Sequence, residues 1–231
     1  MNKEKKELPK WYKPSKKDAE WFIANWKDEG KFSVPVNIMF NLCKTYPKND
    51  NLEEVLLKCA TINAFSSTNV LDLYSMAKHI VDMHIDEKLN SNNYSIIKDL
   101  SEVIIGGKSR KFYSFATKYC HYHNPEFFPI YDSYVAKVLC SFPEFKIIKI
   151  KELREYQTFV DTLNEFRHYY GLSLTYINLD KYLWRLGRWY LNPYETTPKY
   201  YHREDINPFP EDDTRNKLWQ DEMELITTHR H

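Results

Sequence analysis

The segment "GGKSRKFYSFATKYCHYHNPEFFPIYDSYVAKVL", residues 106–139, decides how the chain is read. Two glycines lead through Lys108, Arg110 and Lys111 into an aromatic stripe, Phe112, Phe115, Ala116, Tyr119 and Cys120, with the spacing of one helix face. Asn124-Pro125 must end that helix, because the proline ring clashes with helical backbone before it. Asp132 then stands just ahead of a new apolar run, Val135, Ala136, Val138 and Leu139, where a helix is expected to start.

Further stripes flank this segment. Leu52, Val55, Leu56 and Cys59 form one, and Val70, Leu73, Tyr74, Ala77, Ile80 and Val81 another. Ile96, Ile97, Leu100, Val103 and Ile104 form a third, which Gly106-Gly107 stops. Downstream lie Leu153, Tyr156, Phe159, Val160, Leu163, Phe166 and Tyr170, then Leu179, Tyr182, Leu183, Leu186 and Tyr190. Trp21, Phe22 and Trp26, and Val36, Met39, Phe40 and Cys43, mark shorter helices near the start. Five glycines in 231 residues are too few for the turns of a sheet protein, so the expected class is all-α. In this reading Gly106 to Lys111 connect two helices directly, and Lys111 opens the second.

Thirty-three Lys+Arg against 32 Asp+Glu give a net charge of +1, so any surface for a polyanion must be local. Residues 1–17 hold seven lysines and two glutamates, which suggests a basic arm over 1–18. A helical domain over 19–191 follows, then an extended segment over 192–231 marked by Pro193, Pro198, Pro208 and Pro210. Cys43, Cys59, Cys120 and Cys140 lie far apart, without the tight spacing of a metal or iron–sulfur site. "CHYH", residues 120–123, places one cysteine and two histidines on different sides of a helix. With no secretory signal and no long apolar run, the expectation is a cytoplasmic monomer with reduced thiols, no cofactor, no metal and no membrane contact.

The order of helix, small-residue hairpin, lysine, helix, apolar-Pro-apolar lead and helix-opening Asp resembles the helix–hairpin–helix DNA glycosylases over residues 50–190. Gly107-Lys108-Ser109-Arg110-Lys111 stands where that family has Gly-x-Gly-x-Lys, and Pro129-Ile130-Tyr131-Asp132-Ser133-Tyr134-Val135 where it has a Pro-Val-Asp-Thr/Ser-His-like segment. Ser109 replaces the second hairpin glycine, Ile104-Ile105-Gly106 replaces a Leu-Pro-Gly entry, Tyr131 is inserted before the Asp, and the iron–sulfur cysteine quartet is absent. The resemblance implies an all-α, helix–hairpin–helix glycosylase-like domain that binds double-stranded DNA. It implies an enzyme that flips out and excises a damaged or modified base, in repair or in defence against modified phage DNA. A non-catalytic DNA-binding module of the same fold is the alternative.

Individual residues then have two readings each. Asp132 either only caps its helix or also stabilises positive charge on the sugar as the N-glycosidic bond breaks. Lys111 is either a nucleophilic amine, favoured in its neutral form by the helix dipole, or a phosphate-contacting or merely solvated lysine. Gly106, Gly107, Lys108, Ser109 and Arg110 either seat a phosphate or simply end a helix. Phe65, with Asn63 beside it in "TINAFSSTNV" (61–70), either fills the gap left by a flipped base or completes a core stripe.

Overall fold

A computed structural model describes residues 12–24, 30–91 and 93–191, together with 216, 217 and 220. In chain order the elements are α1 (Lys16–Ala24), α2 (Gly30–Thr45), α3 (Leu52–Ser66), α4 (Leu73–Asp82), α5 (Asp86–Asn90), α6 (Ser95–Ser101), β1 (Glu102–Ile105), β2 (Lys108–Lys111), α7 (Tyr113–His123), α8 (Ser133–Leu139), α9 (Tyr156–Tyr169) and α10 (Tyr176–Leu191). The chain is mostly helical, as the stripes predict. Caps set the boundaries: the Asn51 side chain accepts from the N–H groups of Glu53 and Glu54 at the start of α3, and Asp72 accepts from that of Ser75 at the start of α4.

The connection at 102–111 differs from the expected one. Helix α6 ends at Ser101, and the chain forms an antiparallel β-hairpin in register from Glu102↔Lys111 to Ile105↔Lys108. Gly106 and Gly107 sit at φ 57° and 75°, and two successive positive φ values are what a two-residue hairpin turn of right-handed twist demands. Val103 and Ile104 are expected from their spacing to end a helical stripe. Their β-branched run before Gly-Gly is instead a strand signal, and burial alternates accordingly, with Val103 2% and Ile104 65% exposed. Lys111 therefore lies on β2, where it pairs with Glu102 at 2.6 Å, and not in the first turn of α7.

Helix α7 runs through the middle of the domain against α6, α2 and α3, and every residue from Phe115 to Tyr122 on it is buried. A helix enclosed on all sides has no solvated face, so any polar residue on it needs an internal partner. Helix α10 closes the other side. Arg185 on it donates to the carbonyl of Phe22 at 2.6 Å, and the hydroxyls of Tyr12 and Tyr182 meet at 2.9 Å, which ties α1 and the residues before it to α10. The helical body thus reaches back to Tyr12, inside the stretch expected as a basic arm. Residues 1–11, Trp26 and, apart from the three positions named above, 192–231 lie outside the described residues.

Helices α8 and α10 approach closely at Gly187, where a Cβ would stand 2.9 Å from the Tyr134 Cβ and the Val138 Cγ2 and 3.0 Å from the Tyr134 carbonyl oxygen. That contact holds the start of α8, and hence Asp132, against α10. Gly187→Ala is expected to lower stability by about 1–3 kcal/mol, the usual cost of overpacking, seen as a lower urea midpoint at unchanged slope. An unchanged midpoint would mean that the helices separate freely there.

Candidate functional site

One face of α7 carries four polar residues, Ser114, Thr117, Lys118 and His121, at the i, i+3, i+4 and i+7 positions that line up along a helix. All four serve the segment that follows the helix. His121 bonds through Nδ1 to the Phe128 carbonyl at 2.7 Å, which makes Nδ1–H the donor and leaves Nε2 as the lone-pair nitrogen. The Tyr131 N–H donates to the Thr117 hydroxyl at 3.1 Å, and the Ser114 hydroxyl donates to the Tyr131 carbonyl at 3.2 Å. Tyr156 reaches in from α9 and donates to the Pro129 carbonyl at 2.8 Å. The chain after α7 is thereby held at Phe128, Pro129 and Tyr131.

Asp132 is delivered at the end of this fixed segment. Its Oδ1 accepts the Tyr134 N–H at 2.7 Å and caps α8, and its Oδ2 lies 3.9 Å from the Lys118 Nζ. Lys118 also donates to the Ser114 hydroxyl at 2.7 Å. The Lys118 side chain is 9% exposed and that of Asp132 21%, so this is a largely enclosed ion pair at the wall of a cleft. The cleft, about 450 Å³, is walled by Phe32, Phe40, Tyr134 and Trp184 and includes Phe65, Ser66 and Ser67 from the end of α3. A volume of that size with aromatic walls and a few convergent polar groups is the usual form of a small-molecule or base pocket.

Two further groups in the cleft have shifted protonation. Burial pushes the His121 imidazole down to about 4, even though its bond to the Phe128 carbonyl works the other way. Asp180 on α10 is pushed up to about 7, by burial first and by the negative charge of Asp132 second, against the opposing charges of Lys118 and Lys181. Its Oδ1 is sealed from solvent and has no hydrogen-bond partner among the described residues.

The residues singled out in the sequence fall in three places. Asp132 and Phe65 line the cleft, the latter half-exposed at 49%. Asn63 does not: its amide bonds Thr68 and both backbone groups of Val70, which braces the left-handed loop carrying Ser67 and Asn69. Lys108, Ser109, Arg110 and Lys111 form the exposed strand β2, and Gly106 and Gly107 its turn. The lysine beside Asp132 is Lys118. The sequence does not single it out, because Lys108, Arg110 and Lys111 form a conspicuous basic run, whereas a lysine within an aromatic helix reads as its wet face. The signal for it was the polar i, i+3, i+4, i+7 series within a helix too aromatic to have such a face. The "CHYH" residues separate as the helix requires: Cys120 is buried, His121 turns to Phe128, and His123 packs on Tyr119.

Residues 18–127 match a family model described as the HI_0787_N N-terminal domain. A Haemophilus influenzae protein, described as uncharacterized, is 43% identical over 141 residues, which is 59% of this chain and 68% of that relative. The chain belongs to this family. The matched domain spans α1 to α7, so it contains Lys118 and His121 and ends ahead of Asp132. No solved structure matches the chain.

A pH dependence of stability follows from the buried histidines. An unfolded histidine takes its proton near pH 6.5, whereas His121 in the fold does so near 4 and His123, held down by burial and then by Lys58, near 3. Below about 6.5 the unfolded state binds more protons, so stability is fully present above that pH and is lost as the pH falls toward 4. Asp180, whose carboxyl is raised to about 7, works the other way by taking its proton in the fold, so the histidine contribution is read from a difference: between pH 7.5 and pH 5 the urea midpoint should fall further in wild type than in His121→Asn, whose amide can replace the Nδ1–H donor without titrating. An equal drop in that variant would contradict the assignment.

Proposed function

We propose that the protein is a DNA N-glycosylase that excises an altered base from duplex DNA and cleaves the strand through a lysine amine. The observation that carries this reading is the Lys118–Asp132 pair at the wall of an aromatic cleft. Breaking an N-glycosidic bond leaves positive charge on the sugar, and a fixed carboxylate in an enclosed site stabilises that charge without having to reorganise. An amine beside it can then bond to C1′, and the Schiff base that results allows strand cleavage. The residue in this role is Lys118; the hairpin lysine Lys111 points to its strand partner Glu102 instead.

The remaining features fit the needs of base excision. The target base must leave the stack and enter a pocket, at a cost of a few kcal/mol, and a side chain must fill the space it vacates. Phe40, Tyr134 and Trp184 supply ring surfaces within the cleft, and Phe65 stands at its edge, half-exposed on the end of α3. The strand Lys108 to Lys111, exposed along its whole length, offers the cations of Lys108 and Arg110 to phosphates, while Lys111 is paired with Glu102. Such contacts position DNA without reading its sequence.

The direct test is a panel of duplexes, each with one altered base, followed by alkaline cleavage at abasic sites. Release from at least one duplex is expected. Asp132→Asn, which keeps the helix cap, should fold normally and lose ~100-fold or more in single-turnover release. Lys118→Gln, which can still bond Ser114, should abolish strand cleavage while duplex binding persists. DNA binding with no release from any duplex would favour the non-catalytic module. A charge reversal at Arg110 should weaken binding and flatten its salt dependence by about one phosphate's worth. If affinity and slope are unchanged, β2 is not the phosphate contact.

A further inference from the structure

Asp180 is not used in the scheme above, and its surroundings are unusual. It sits on α10 in the same cleft as Lys118 and Asp132, and its Oδ1 is sealed from solvent without a hydrogen-bond partner among the described residues. An enclosed carboxyl oxygen that bonds nothing within the protein is costly unless it is protonated or is satisfied by a ligand. The groups around it are Asp132 ahead of α8, Lys118, His121 and Tyr122 on α7, and Lys181 on its own helix. His121, buried and bonded to Phe128, is held neutral at neutral pH, so it neither charges the cleft nor competes for the proton. Two carboxyls share one site, and the more enclosed of them is the one that keeps a proton to higher pH. Carboxyl pairs whose surroundings separate them in this way divide acid and charge-stabilising roles between them.

We propose that Asp180 is the general acid of this cleft, giving its carboxyl proton to the departing base while Asp132 faces the sugar. The inference rests on the glycosylase reading. As the C1′–N bond breaks, its electron pair goes to the base nitrogen, and the Asp180 proton goes to a ring nitrogen or carbonyl oxygen of the base, which leaves neutral. The Lys118 ammonium gives one proton to solvent, and its amine then bonds to C1′ and releases a second, which restores the Asp180 carboxyl, so no oxidant or other reactant is needed.

A substrate class follows. An N-alkylated purine that already carries positive charge is a good leaving group and gains nothing from an acid. Phe32 and Trp184, two of the rings that could hold such a cation, already face the Arg188 guanidinium at 4.6 and 5.2 Å, and Tyr134 faces the Lys137 ammonium at 5.5 Å. The substrate of this cleft is therefore a neutral altered base, oxidised or deaminated, whose departure requires protonation.

Two measurements test this on the full chain. First, infrared difference spectra between wild type and Asp180→Asn should show a protonated-carboxyl band at pH 6 that disappears as the pH rises through about 7. Absence of that band at pH 6 overturns the proposal whether or not the protein excises bases. Second, single-turnover release of a neutral base should fall in wild type above about pH 7. Asp180→Asn should be ~100-fold slower at pH 6 with a flat profile, a typical general-acid contribution, and Asp180→Glu should regain a pH-dependent rate. On a duplex with an N7-alkylated purine, wild type and Asp180→Asn should act about equally. If the variants keep the wild-type profile, or release is equally impaired on both kinds of duplex, Asp180 is not the acid. If the band is present and wild type releases no base at all, the glycosylase reading fails and the acid role fails with it.

Discussion

The cleft depends on one constraint: a buried polar stripe on α7 dictates the path of the chain after it. Ser114, Thr117 and His121 bond the backbone of Phe128 and Tyr131, and Lys118 meets Asp132. Thr117, Lys118 and His121 are buried where α2, α3 and α6 enclose α7, so they cannot turn to water, and each unmade bond would cost the desolvation of a buried polar group, about 1–3 kcal/mol. The segment opposite has the same requirement, because its irregular backbone forms no regular ladder. Helix and segment satisfy each other, and Asp132 is positioned as a result.

The aromatic shell completes the enclosure. Tyr94 stacks on Phe127 at 4.2 Å, Tyr113 packs on Tyr131 at 4.7 Å, and Phe159 meets Tyr131 edge-on at 5.3 Å. These rings pack around the segment and lower the dielectric there, so the charges of Lys118 and Asp132 act on each other and on a ligand more strongly than surface charges would. The same enclosure shifts His121 and Asp180 in opposite directions, since burial disfavours the imidazolium and the carboxylate alike.

Much of this was legible in the sequence and some of it was not. Helices α3, α4, α7, α9 and α10 follow from apolar stripes, and Asp132 was recognisable as a cap from its position before Val135 and Ala136. The β-hairpin was hidden because Val103 and Ile104 continue the spacing of the helix before them, which masks the strand signal of their β-branched run, and a glycine pair serves a hairpin turn as readily as a helix stop. Lys118 and Asp180 were hidden for a different reason. Their meaning comes from which elements enclose them, and the packing of α7 and α10 around one cleft is a long-range fact that local spacing does not carry.

The most direct test is to incubate the protein with duplexes bearing single altered bases, trap any Schiff base with borohydride, and map the modified residue by mass spectrometry. The account predicts a covalent DNA adduct on Lys118, formed more slowly in Asp132→Asn. An adduct on Lys111, or on any other lysine with Lys118 unmodified, would contradict it.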